Sequence, residues 1–410
     1  MVQERQLVEK ISRALSSRKR GDSRLRLGLG DDAAVVSTGG HAEWVLSCDT
    51  FLEDVHFRMR THPPDSVGYK ALARATSDLA AMGATPRYFL LTLALPAGAA
   101  RISGFPKSGA LRFAKNSSPL NSHSQTGHSA AGRSFVGRGF VGRNFVGRNF
   151  LGRSFVGRGF SHDKTSVRGS GASAPEAPSE GWLNAFLEGM ARASRELGIA
   201  IIGGDTTKSG RIFISITVLG EVAPGRALTR SGARPGDIIY VSGKLGRAQL
   251  GLELVLRGQA RNRQPRALVQ PHLYPKIRIE LGSWLAQHRV ATSAMDLSDG
   301  LSTDLARLCT ASKVGAKIYA SKVPSLKIPE AAARKLGKRQ VDSLQLALHG
   351  GEDYELLFTV SPRQAKKLNR APNASTLTPI GEITRSRQLI LVAPDGSEKP
   401  LQPRGWDPFR

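Results

Sequence analysis

Aspartates recur in this sequence beside glycine, serine or threonine. Asp31 and Asp32 close Gly28-Leu29-Gly30-Asp31-Asp32, Asp49 precedes Thr50, and Asp78 lies in Ser77-Asp78-Leu79-Ala80-Ala81-Met82-Gly83. Asp205 follows Gly203-Gly204 and precedes Thr206-Thr207, while Asp296 and Asp299 share Asp296-Leu297-Ser298-Asp299-Gly300. Each alone has an ordinary explanation as a turn or capping residue. Gathered by a fold, they make an oxygen-rich site for a hard cation such as Mg²⁺, which keeps part of its water and bridges phosphate oxygens. More than one such ion around the phosphates of ATP would offset their charge during phosphoryl transfer and reverse the repulsion that bare carboxylates exert on a nucleotide.

Spacing adds further candidates, each with a plainer alternative. Asp296 and Asp299 present oxygens on one side if the following helix reaches back to Ser298; the plainer alternative is that Ser298 or Asp296 caps that helix, and the two can hold together. Arg230, in Ala227-Leu228-Thr229-Arg230-Ser231-Gly232, can clamp a phosphate through its planar donor fork or be an ordinary surface arginine. His56 lies close enough to Asp49 in sequence to share its rim, or serves no functional purpose. The Gly-rich loop ending in Lys-Ser/Thr, the full dinucleotide fingerprint and the protein-kinase set are missing, so a kinase needs another architecture.

The elements that must position these residues are readable from periodicity. Leu7, Val8, Ile11, Ala14 and Leu15 predict a helix over 4–16, and strands are expected at Ala33–Val36 and Trp44–Cys48, with Asp49 just after the second. A helix over Ser66–Met82 should end at Gly83 and lead into the apolar stretch Arg87–Leu95. Trp182 to Leu197 reads as a helix and Ile199–Ile202 as a buried strand delivering Gly203–Thr207 in a turn; Ile212, Ile214, Ile216 and Val218 alternate as the next strand. After the turn Arg234-Pro235-Gly236, Asp237–Val241 opens a second domain with a helix at Arg247–Leu256, and Gly350-Gly351-Glu352-Asp353-Tyr354-Glu355 enters another strand.

Between these stretches the pattern breaks. Residues 104–180 are rich in Gly, Ser, Arg and Pro and hold a five-residue near-repeat, Phe135-Val136-Gly137-Arg138 through Phe155-Val156-Gly157-Arg158. That period fits neither helix nor strand, and its glycines raise the entropy cost of order, so disorder is expected. The expected organisation is 1–103 and 181–234 as one α/β domain, 104–180 as an insert, and 235–410 as an α+β domain.

The 410 residues, 40% hydrophobic, can bury a substantial core, and the formal charge of +26 suits nucleic acid, anionic membranes or phosphorylated small molecules alike. No apolar run long enough to span a membrane and no secretory signal is evident, so a cytoplasmic protein without membrane association is expected. Two cysteines, Cys48 and Cys309, exclude a disulfide-dense scaffold and are expected as free thiols.

In the order in which they occur, the words above together with Leu228-Thr229-Arg230-Ser231-Gly232 and Gly351-Glu352-Asp353-Tyr354-Glu355 resemble those of the thiamine-monophosphate kinases. These belong to the wider family that includes aminoimidazole ribonucleotide synthetase, selenophosphate synthetase and the hydrogenase-maturation dehydratase. The resemblance covers roughly 4–100 and 181–409. It implies a two-domain α/β plus α+β fold whose first sheet joins that of a second subunit in a barrel-like homodimer. It implies that Asp32, Ser47, Asp49, Asp78, Asp205, Asp296 and Asp299 surround several Mg²⁺ ions, that Gly204, Asp205, Arg230 and Ser298 contact ATP, and that His56, Glu352 and Trp406 bind thiamine monophosphate. It also implies direct attack by a substrate phosphate oxygen on the γ-phosphate of ATP, yielding thiamine diphosphate and ADP, with no residue acting as a covalent nucleophile and Glu352 orienting the substrate.

Two features depart from that family. Cys48 stands where threonine is common, which removes a side-chain oxygen while sparing any backbone ligand, and the insert interrupts the first domain. Alternating Phe and Arg in the insert can bind RNA or membrane phosphates. Competing readings are another ATP-dependent enzyme of the same fold acting on an amidine or selenide, a degenerate regulatory relative, and a nonenzymatic nucleic-acid-binding protein, which leaves the ordered aspartates without a purpose.

Overall fold

A computed structural model describes residues 4–15, 24–96, 178–258, 266–337 and 341–407. The expected disorder of the insert, its repeat and any nucleic-acid binding by it fall on residues outside these, except that the helix after it already begins at Glu180, with Ser179 accepting the Trp182 N–H as N-cap.

Helix α1 (Glu4–Leu15) precedes a six-stranded sheet made of β1 (Leu25–Leu27), β2 (Ala34–Ser37), β3 (Glu43–Leu52), β4 (Thr85–Leu95), β5 (Ala200–Lys208) and β6 (Phe213–Val222). Its order is β1-β2-β3-β6-β4-β5. Only β4 and β5 run parallel, joined by a crossover that contains α3 (Glu180–Leu197). Between β3 and β4 lies α2 (Pro64–Ala81), started by a proline at its first turn and stopped beside Gly83 at φ 70°. Its apolar face, including Leu72 and Leu79, packs on Phe89, Ile214, Ile216 and Val218 of the sheet. The α2 and α3 backbones nearly touch: a Cβ at Gly68 would stand 1.9 Å from the Phe186 carbonyl, and one at Gly189 1.8 Å from that of Asp65.

A second sheet follows, made of β7 (Ile238–Ser242), β8 (Ala291–Asp296), β9 (Gly315–Tyr319), β10 (Leu356–Val360), β11 (Leu377–Thr384), β12 (Leu389–Val392) and β13 (Glu398–Pro400). Its order is β13-β12-β9-β11-β7-β10-β8. The accompanying helices are α4 (Arg247–Leu256), α5 (Arg266–Leu273), α6 (Ile279–Gln287), α7 (Leu301–Ser312), α8 (Glu330–Lys335), α9 (Ser343–His349) and α10 (Pro362–Ala365). Edge strand β8 ends at Asp296 and comes against α2, so this helix belongs to the packing of both domains.

Three local expectations need correction. Asp49 lies within β3, not after it, because pairing with β6 continues through Leu52↔Phe213. Gly203–Thr207 forms strand, not turn, since β4 pairs with β5 as far as Leu95↔Lys208. Helix α7 starts at Leu301, and neither Ser298 nor Asp296 caps it; instead Asp304 reaches back to accept the Asp299 N–H at 3.0 Å. Both cysteines are free thiols, and no helix among the described residues is long and apolar enough to cross a membrane.

Candidate active site

Helix α2 organises the site. Lys70, Arg74, Ser77 and Asp78 stand at spacings of four, seven and eight from the first, which is one face of a helix. The Ser77 hydroxyl donates to Asp296 Oδ2 at 2.7 Å, and Asp78 accepts from the Ser47 hydroxyl on β3. Arg74 pairs with Asp49, Nη2 donating to Oδ1 at 3.1 Å. In the loop before β2, Asp32 accepts from Arg230 Nε at 3.0 Å, while Asp31 accepts the Arg230 backbone N–H.

Asp32, Asp78 and Asp296 thereby converge, offering one carboxylate oxygen each within 4.8 Å of one another. Burial raises all three carboxyls, Asp296 to about 7; proximity to Asp32 adds to the rise for Asp78 and Asp296, whereas Arg230 opposes it for Asp32. Among the described residues, Asp32 Oδ2 is buried with no hydrogen-bond partner. An orphaned acceptor among mutually repelling carboxyls fits a cation, because a bound cation removes both costs together.

The other expected metal residues are placed differently. Asp49 stays near enough to raise the Asp78 carboxyl, but Arg74 pairs with it. Asp299 pairs with Arg307 and, with Ser298, lines the adjoining cleft. Asp205 is outside the group: it is exposed and accepts the Thr206 N–H at 2.8 Å. Register puts it in one row with Thr92, Ser215 and Thr50, on the sheet face opposite Ser47 and Asp49. Gly204 has a structural reason to be glycine, since its φ is 151° and a Cβ would stand 1.8 Å from the Leu91 carbonyl. Cys48 also lies on that outer face, 3.5 Å from the Ser215 hydroxyl, so a threonine there would not aim its oxygen at the aspartates.

The cleft brings His56, Glu352 and Trp406 together with Val55, Arg74 and Tyr354. His56 Nδ1 accepts the Leu52 N–H at 3.0 Å, leaving Nε2 as donor, and burial, then Arg74, lowers its ring to about 4. Its ring centroid is 5.6 Å from that of Trp406, which is held by its backbone N–H to the Asp299 carbonyl. Glu352 comes from a loop zipped to the Asp296–Asp299 segment by Glu352 N–H to Ser298 O and Tyr354 N–H to Leu297 O. Glu352 and Tyr354 have φ of 67° and 49°, left-handed values uncommon outside glycine that cost on the order of 1–3 kcal/mol and are kept where surroundings enforce them. Within this motif the jobs divide: Asp353 caps α4 through the Gly246 and Ala248 N–H groups, and Glu355 binds Arg278.

Lys70, Arg74, Ser77, Tyr354 and Arg307 escaped the reading by sequence. The signal for the α2 set was present as polar side chains at helical spacing within an otherwise Ala-rich, buried segment.

The family model for AIR synthase related proteins, N-terminal domain, matches residues 30–117 and 170–222, and that for the C-terminal domain matches 234–393. The thiamine-monophosphate kinase of Haemophilus influenzae is 30% identical over 348 residues, 85% of this chain and 79% of that protein. That of Escherichia coli strain K12 is 30% identical over 389 residues, 94% of this chain and 92% of that protein. A solved structure of AaThiL complexed with AMPPCP and TMP is 26% identical with a TM-score of 0.68, covering 99% of this chain and 97% of that one.

Proposed function

This chain belongs to the AIR synthase related proteins, and we propose that it is the member that phosphorylates thiamine monophosphate with ATP, giving thiamine diphosphate and ADP. The observation that carries this reading is the convergence of Asp32, Asp78 and Asp296 around a buried oxygen that has no partner among the described residues, beside a cleft lined by His56, Glu352 and Trp406. Kinship supports it, because relatives bearing that activity align over most of both chains.

Asp32, Asp78 and Asp296 would hold Mg²⁺, with Ser47 orienting Asp78, Ser77 orienting Asp296, and Asp49 and Asp299 on the flanks. When bound, Mg²⁺ supplies charge neutralisation and alignment of the phosphates. A phosphate oxygen of thiamine monophosphate forms the new bond to the γ-phosphorus as the bond from that phosphorus to the bridging oxygen of ADP breaks. No protein nucleophile is needed, since the attacking oxygen is already anionic at neutral pH. Arg230, anchored on Asp32, presents its remaining donors to nucleotide phosphate, with Gly204 and Ser298 as further contacts. His56 offers its Nε2–H and Trp406 its face to the aromatic part of the substrate.

Asp205 points away from its own chain's aspartates, onto a sheet face that exposes Tyr88, Leu90 and Ile202. A homodimer built on that face would cover these apolar side chains and bring Asp205 toward a second copy.

Incubation of the full chain with thiamine monophosphate, ATP and Mg²⁺ should yield thiamine diphosphate and ADP in equal amounts, resolved by chromatography. A folded preparation that makes neither would reject the reading.

A further inference from the structure

Behind Glu352 lies a set of buried polar groups that the phosphate chemistry does not use. Lys70 on α2 is 1% exposed, His272 on α5 is 0% and His62 is 3%. Lys70 Nζ lies 2.8 Å from Glu352 Oε2, and His272 Nδ1 lies 3.1 Å from the same oxygen. His272 Nε2 and His62 Nε2 are 3.2 Å apart.

Two Arg58 backbone groups meet His62 Nδ1, the N–H at 3.1 Å and the carbonyl at 3.3 Å. The shorter contact, from the N–H, needs a bare Nδ1, and we take that tautomer, in which a neutral His62 carries its proton on Nε2 and donates it to His272 Nε2. His272 then carries its own proton on Nδ1 and donates it to Glu352. Burial lowers both rings, His62 to about 3, and this keeps each of them neutral with one proton to place. Lys70 Nζ is also 3.2 Å from His272 Nδ1; as both are donors, they converge on the shared carboxylate oxygen and do not bond each other.

The consequence falls on Glu352. Burial would raise its carboxyl, but the Lys70 ammonium and then His272 hold it well below the usual range. Both donors land on Oε2, and Glu352 lines the cleft. We propose that Lys70, backed by His272 and His62, is a positioning residue for the acceptor substrate, fixing Glu352 as an oriented anion whose Oε1 accepts from thiamine monophosphate. The inference rests on the kinase reading above. Its chemistry is that of the ligand: thiamine carries a cationic thiazolium and an amino-substituted ring, and a fixed anionic acceptor suits either. A strut that merely joined α2 to the second domain would affect both substrates alike.

Steady-state kinetics of Lys70→Met tests this. The KM for thiamine monophosphate should rise about tenfold or more, while the KM for ATP and kcat stay within about twofold. Glu352→Gln should behave in the same way, and Lys70→Met/Glu352→Gln should be no worse than Glu352→Gln, because the two residues act as a unit. If Lys70→Met fails to fold, the double variant, which buries no unpaired charge, decides: a KM for thiamine monophosphate about tenfold above that of Glu352→Gln overturns the proposal. Equal rises in both KM values, or none, overturn it as well. Calorimetric titration separates the two readings. A wild-type chain that does not bind thiamine monophosphate sinks both, whereas equal binding by wild type and Lys70→Met sinks only this one.

Discussion

The two faces of the first sheet draw on the same short stretches of sequence but carry side chains of opposite character. Ser47, Cys48 and Asp49 are consecutive on β3, yet Ser47 bonds Asp78 and Asp49 pairs with Arg74 on the helix side, while Cys48 looks out beside Ser215. The inner face gathers buried acids that repel one another; the outer face carries Asp205 and three exposed apolar side chains, Tyr88 at 40%, Leu90 at 38% and Ile202 at 54%. Strand alternation is the cause, since successive side chains point to opposite sides. The lesson is that adjacency in a motif does not make neighbours of side chains, so the proposed cation and the proposed second copy would each meet only one of the two faces.

The largest test of this contrast is on the inner face. Asp296→Asn should lower turnover by about 100-fold or more, in the range seen when a group that stabilises transferring charge is removed. The same change should stabilise the metal-free protein at pH 8. Burial, with Asp32 adding, raises the Asp296 carboxyl to about 7. The folded state therefore holds a proton that the unfolded chain has released, so stability falls as pH climbs from the ordinary carboxylate range through about 7. Removing that group should return on the order of 1–3 kcal/mol at pH 8 and flatten the decline, as followed by thermal melts from pH 5 to 8 without and with Mg²⁺. An Asp296→Asn protein with wild-type turnover, or no more stable at pH 8, would break the account of the inner face.

On the outer face, Leu90→Asp should turn the proposed dimer into a monomer in sedimentation velocity without unfolding it, since the side chain is exposed within the single chain. A wild type that sediments as a monomer, or a variant that stays dimeric, removes the partner from that face. The smallest effect is expected for Cys48→Thr. Its side chain points away from the aspartates, so melting temperature should change by the equivalent of about 0.5 kcal/mol or less and Mg²⁺ dependence should stay put. A marked tightening of Mg²⁺ binding would mean that the face assignment is wrong.

Much of the architecture was legible because the chain announces it locally. Helix α4 ends where Arg247–Leu256 was expected, and the alternation at Ile212, Ile214, Ile216 and Val218 leaves all four buried, the last three on β6 and Ile212 just before it. Boundaries were less legible where pairing overrode composition. Gly203–Thr207 looks like a turn to any local rule, yet hydrogen bonding to β4 makes it strand. The plainer alternative of a cap at Ser298 or Asp296 failed for a different reason: the helix starts only at Leu301, and Asp304 within it serves the Asp299 N–H.

By itself the sequence determined which residue types were on offer, the order of the acidic words and the family they resemble. Those are properties of a string, set by composition and spacing. Only the tertiary structure decided that Asp32, Asp78 and Asp296 meet while Asp205 does not, and that Lys70 and His272, unremarked in the sequence, stand behind Glu352. These outcomes depend on strand register, on the face a helix turns inward and on burial, which sets the charge of a carboxyl. None of the three is a property of any short stretch of chain.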